Sequence, residues 1–107
     1  MSTIYEVFLS EAARIDMRVI KAFLEERAGD ELALLTLEYI THNIRNLVVF
    51  PYRFPIIDPV LNLRRMVIDK YRYSVFYEVF EETKVVRIHN VRHQAQNTTV
   101  ITKGEMT

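Results

Sequence analysis

The stretch LRRMVIDKYRYSVFYEVFEETKVVRIHNVRH, Leu63 to His93, decides the fold. It splits into three runs rich in β-branched and aromatic residues: Leu63 to Asp69, Tyr73 to Phe80 and Lys84 to His93. "DKYR" (Asp69 to Arg72) and the acidic "EET" (Glu81 to Thr83) separate them. Turns this short make the runs antiparallel neighbours, a meander. In the third run Val86 and Ile88 share a face, but Val91 falls out of the period-two alternation. One extra residue near Asn90 restores it, which predicts a β-bulge that re-aims Arg92 and His93 at the sheet end.

Upstream, Thr3 to Leu9 alternates around Ile4, Val7 and Leu9 and reads as a first strand. Ser10 offers an N-cap oxygen, and Glu11 puts negative charge in the first turn of a helix. Ala13, Met17, Ile20, Phe23 and Leu24 give that helix one apolar face, and Gly29 stops it. Asp30 is expected to cap a second helix, whose stripe is Ala33, Leu37, Ile40, Ile44 and Leu47. So short a junction folds the two helices back as an antiparallel hairpin. Phe50 to Asn62 holds all three prolines, at 51, 55 and 59, and reads as a loop with extended stretches packed on the core. Downstream, Thr98 to Thr102 suits a short edge strand, and the last five residues are expected to fray.

The order of elements predicts an α+β fold of one domain, residues 1–107. The expected form is a two-layer β-α-α-β-β-β(-β) arrangement, with the helical hairpin on one face of an antiparallel sheet. The other face then has no helix to cover it. A chain of 107 residues buries roughly 65% of its unfolded surface, enough for one core.

Composition excludes several functions. There is no Cys, so disulfides and thiolate metal sites are out. No apolar run is long enough to cross a membrane, and Met1 to Glu6 carries no signal pattern, so a cytoplasmic protein is expected. Gly occurs only at 29 and 104, too few for a phosphate-cradling loop or a nucleophile elbow. His89 and His93 are four apart on a strand, where they do not converge as metal ligands; no metal and no cofactor are expected. The acidic pairs Glu25-Glu26 and Glu81-Glu82 fall at a helix end and a turn, where solvated carboxylates are common.

The charge balance is zero, with 14 basic and 14 acidic side chains, which argues against a global pull on nucleic acid. It is uneven: residues 1–49 hold 5 basic and 8 acidic groups, residues 50–107 hold 9 and 6. The basic excess lies in the opening stretch. Arg64, Arg65, Lys70, Tyr71, Arg72, Tyr73, Arg87, Arg92, His93 and Gln94 therefore form the candidate recognition set, competing with the plainer reading of long basic stems lining an exposed sheet face.

The strand-to-helix start "YEVFLSEAARIDM", the pair "RRMVIDKYRYSVFYEV" and the ending "KVVRIHNVRH" resemble the RelE/ParE family of bacterial type II toxins, over Ile4 to about Gln96. The resemblance implies a toxin component of a toxin-antitoxin (plasmid stabilization) module that inhibits growth and is neutralised by a cognate antitoxin. ParE-like members bind DNA gyrase; RelE-like members act on the ribosome as metal-independent endoribonucleases that cut mRNA. For the ribonuclease alternative, Arg65 would serve the phosphate, His93 would act as acid or base and Tyr71 would stack or donate a proton. This chain departs from that branch. Ser74 stands where an Arg usually follows the tyrosine, no Tyr occurs after Tyr77, and the chain is neutral. The expectation is therefore a ParE-like, non-enzymatic toxin. Its target-binding or phosphate-binding residues would be Arg64, Arg65, Arg72, Arg92 and Gln94. A degenerate, non-toxic member is a further alternative. Antitoxin docking is expected on the helical hairpin, with Leu34 and Val48 exposed in the lone toxin, where they could also support a homodimer.

Overall fold

A computed structural model describes residues 4–95. The chain runs β1 (Glu6–Leu9), α1 (Glu11–Ala28), α2 (Asp30–Arg45), a 3-10 turn (Asn46–Val48), β2 (Ile56–Asp58), β3 (Leu63–Ile68), a second 3-10 turn (Lys70–Arg72), β4 (Tyr73–Phe80) and β5 (Val85–His93). The expected strand at Thr98 to Thr102 and the expected frayed end lie outside the described residues.

Ser10 caps α1 as expected, its Oγ accepting the Ala13 N–H at 3.0 Å. Gly29, at φ 97°, serves both helices at once: it ends α1 and is the N-cap of α2, so Asp30 is the first residue of the helix rather than its cap. A left-handed φ at a one-residue junction suits glycine, which has no Cβ to clash. The two helices then pack against each other and both lie on one face of the sheet, where Ala13, Ile20, Ile40 and Ile44 meet Tyr73, Val75, Tyr77 and Ile88. Full burial of each aliphatic side chain contributes about 1.5–3 kcal/mol.

The sheet is mixed, in the order β1-β5-β4-β3-β2. The meander is antiparallel as expected, but β1 pairs with β5 in parallel, Glu6 opposite Val85 through Leu9 opposite Ile88. This corrects the expectation of a wholly antiparallel sheet, and strand counting explains it. A helical hairpin returns the chain to the end it left, so the next strand runs against β1. With three strands after the hairpin, the last would also run against β1. The proline segment supplies a fourth, β2, paired with β3, and the last strand then runs with β1. β2 is three residues long, lies between Pro55 and Pro59, and forms the sheet edge, where prolines are tolerated.

The bulge is present. Phe76 is opposite Asn90, but Tyr77 is opposite Ile88, so His89 is the extra residue. It lets Ile88 and Val91 both reach the helix-side core.

Two expectations about faces change. Phe23, assigned to the α1 core stripe, is 50% exposed; the core side of α1 is Ala13 and Ile20, with Met17 and Leu24 packed beside them. The sheet face away from the helices is also not bare at its centre. Phe76 is 1% exposed, Glu78 6% and His89 4%, with the last two paired at 3.2 Å. Its exposed residues lie at the rim, among them Arg65, Val67, Arg87, Phe8 and Phe80.

The loop between α2 and β2 is strapped down. The Tyr77 hydroxyl donates to the Pro51 carbonyl at 2.7 Å, Arg64 Nη1 donates to the Phe54 carbonyl at 2.6 Å, and the Tyr5 N–H donates to the Val48 carbonyl at 2.9 Å. Apolar residues in a loop can thus pack on the core because side chains satisfy its backbone.

Candidate functional site at the end of the sheet

Tyr71, Arg72, Arg92, His93 and Gln94 come together at one end of the sheet. The β3–β4 turn supplies the first two and the end of β5 the others. Asp69 accepts the Arg72 N–H at 3.1 Å to close the turn. Within it Tyr71 and Arg72 hold φ of 70° and 65°, the left-handed region. Each costs roughly 1–3 kcal/mol for a residue with a Cβ and persists only where its surroundings enforce it. Here the Tyr71 ring meets the Tyr39 ring edge-on at 5.7 Å, and Lys70 Nζ stands 5.1 Å and 5.3 Å from the two ring centroids.

The Gln94 N–H donates to the Arg72 carbonyl at 2.8 Å, which extends the β4–β5 ladder past its last pair, Tyr73 opposite His93. The His93 ring lies edge-on to the Tyr73 ring at 5.0 Å, and its Nδ1 accepts the Ala95 N–H at 3.0 Å. Burial pushes the Tyr73 hydroxyl above its ordinary pKa. Arg92 sits opposite Ser74, and its Nε lies 3.7 Å from Asp16 Oδ2 on α1. Beside His93 a groove of about 420 Å³ is lined by Val19, Ile20, Phe23, Tyr73, His93 and Ala95.

The other singled-out residues lie elsewhere. Arg64 is engaged at the proline loop, bonded to Phe54 and 4.9 Å from the Tyr52 ring centroid. Arg65 is opposite Phe76, on the face away from the helices, whereas His93 is opposite Tyr73 in the helix-side core. The sheet therefore stands between Arg65 and His93, and Tyr71 packs against α2. The proposed ribonuclease trio does not converge, because side chains alternate faces along a strand and the two residues fall on opposite parities. Leu34 is 56% exposed on α2, as expected; Val48 is half-buried, its carbonyl committed to Tyr5.

Sequence reasoning missed three features. Ile15, Val19 and Phe23, four apart, form a second, exposed apolar stripe on α1; that spacing was readable. The Glu78–His89 pair depends on the bulge. Asp16 had no local signal, since its partners are more than seventy residues away. Among the described residues no group of three His, Cys, Asp or Glu could hold a metal ion, and no helix is long and apolar enough to cross a membrane.

Comparison with known proteins places these features in a family. The family model "ParE toxin of type II toxin-antitoxin system, parDE" matches residues 7–98. No curated protein matches the chain significantly. Among solved structures, the chromosomal ParDE toxin-antitoxin system of P. aeruginosa is similar with TM-score 0.73 and 18% identity, covering 84% of this chain and 96% of that one. The toxin-antitoxin complex RelBE2 of Mycobacterium tuberculosis gives 0.65 and 18%, covering 90% and 98%. The free E. coli toxin RelE, as a mutant, gives 0.63 and 14%, covering 87% and 86%. At such identities the structures speak for the fold alone. The family match spans most of the chain, and the chain belongs to the ParE toxin family of type II toxin-antitoxin systems.

Proposed function

We propose that this chain is a ParE-like toxin that arrests growth by binding DNA gyrase and is held inactive by a cognate antitoxin. Arg72, Arg92 and Gln94 at the sheet end form the target contact in this reading, with Arg65 as an outlying charge. Leu34 belongs to the antitoxin-facing side, with Val48 its partly covered neighbour. The observation that carries the reading is the separation of Arg65 from His93 by the sheet. Cutting RNA through its 2′-OH needs a base or acid and a cation within hydrogen-bond reach of one phosphodiester. Binding needs only a shaped, charged surface. The test is supercoiling by purified gyrase at rising toxin. Inhibition saturating at stoichiometric toxin is the expected outcome. Undiminished supercoiling at excess toxin overturns the gyrase reading, and codon-specific mRNA cleavage on induction replaces it with the ribonuclease one.

A further inference from the structure

Asp16 gathers two hydrogen-bond donors and a guanidinium at the edge of β5. β1 pairs with β5 only as far as Ile88. Beyond that point the start of α1 takes over the strand's edge. The Ser10 N–H donates to the Ile88 carbonyl at 2.9 Å, and Ser10 Oγ donates to the His89 carbonyl at 3.1 Å. Asp16 Oδ2 then accepts the Val91 N–H at 2.9 Å and Asn90 Nδ2 at 3.4 Å, and lies 3.7 Å from Arg92 Nε, an ion-pair contact beyond hydrogen-bond reach. The Asp16 and Arg92 side chains are only 20% and 21% exposed, so the pair is partly shielded from solvent. All three groups follow the His89 bulge, where the strand has lost regular pairing and its direction must be set by something else.

We propose that Asp16 is the positioning residue of the target-contacting edge. Its carboxylate fixes the segment after the bulge through Val91 and, as an ion-pair partner, draws the Arg92 guanidinium toward that edge. The inference rests on the reading of Arg92 as a target contact. A guanidinium is a planar fork, so the side from which a carboxylate attracts it bears on where the fork faces, which a lysine ammonium cannot reproduce. A carboxylate acceptor also strengthens each bond it takes part in relative to a neutral one.

The two roles of Asp16 separate by substitution. Asp16→Asn keeps an oxygen for the Val91 N–H and removes the charge that holds Arg92. Gyrase affinity, measured by titrating the purified holoenzyme, is expected to fall about tenfold in Asp16→Asn with the melting temperature little changed. Arg92→Ala is expected to lose at least as much. In the Arg92→Ala background, Asp16→Asn should cause no further loss, since its effect passes through Arg92; additive losses overturn the proposal. If Asp16→Asn does not fold, Arg92→Lys gives the same reading. It keeps the charge but lacks the planar fork and leaves the Val91 bond untouched, so affinity within twofold of the parent overturns the proposal. Arg92→Ala with full affinity overturns the reading of the target site itself. Arg92→Ala impaired beside a fully active Asp16→Asn overturns the role of Asp16 alone.

Discussion

Two adjacent residues with side chains, Tyr71 and Arg72, hold a left-handed backbone where glycine or asparagine would be easier. Tyr71 has a packing reason, its ring being set between Tyr39 and Lys70. Arg72 is exposed and has none. Its backbone bonds to Asp69 and Gln94 hold the turn, but they would serve a glycine equally well, so the strain points to a use for the side chain. Arg72→Gly would release roughly 1–2 kcal/mol of strain and give back up to about 1 kcal/mol in chain entropy. The variant is therefore expected to be about 0.5–1 kcal/mol more stable by urea midpoint at unchanged slope, and a weaker inhibitor of supercoiling. A destabilised Arg72→Gly, or one that inhibits fully, would show that Arg72 is kept for another reason.

At the scale of elements, the contrast between Ile20 and Phe23 on α1 tests the packing. Ile20→Ala empties a filled core position and is expected to cost about 2–5 kcal/mol. Phe23→Ala, half-exposed beside the groove, should change stability by no more than about 0.5 kcal/mol. Equal costs in thermal or urea unfolding would mean that Phe23 faces the core after all. The two positions also show what the sequence could convey. Helical periodicity located α1, its cap and most of its buried stripe, since every turn of the helix repeats the same signal. It misplaced Phe23, which is three residues from Ile20 but also four from Val19, and so fits either of two neighbouring stripes. The bulge was legible because Val91 broke an alternation that Val86 and Ile88 had established. β2 was not, because Pro55 and Pro59 argue against a strand in general while permitting one at an edge.

At the scale of the whole molecule, chain direction and side-chain parity govern what the sequence hid. Missing one three-residue strand reversed the expected direction of β5 against β1. Strand parity then divided the candidate site: Arg65 and His93 looked equally exposed in the sequence, but the register of β3 and β5 against β4 sets them on opposite faces. Distant segments are also joined at the other end of the sheet, through Glu81. Its Oε1 accepts the hydroxyls of Tyr5 at 2.8 Å and Tyr52 at 2.5 Å, and its Oε2 takes Lys84. One carboxylate thus ties the chain leading into β1, the proline loop and the β4–β5 turn. The bond from Lys84 first, then those from Tyr52 and Tyr5, hold the Glu81 pKa down at about 2 against its ordinary 4.5. A depressed folded value means that the carboxylate stabilises the fold fully above its unfolded pKa, and that this contribution fades as pH falls through the folded one. On the alkaline side, Tyr52 is pushed up to about 12, chiefly by donating to Glu81, so its contribution is complete below its usual 10 and lost as pH rises through 12. Because Glu81 is exposed, solvent screens the pair and the effect should be modest. The melting temperature of the parent is therefore expected to fall more steeply than that of Glu81→Gln between pH 4.5 and 2. The two curves should converge at the acid end, where protonated Glu81 resembles the amide. Parallel curves over that range would mean that the three segments are held by the Tyr77, Arg64 and Val48 bonds, with no measurable share from the carboxylate.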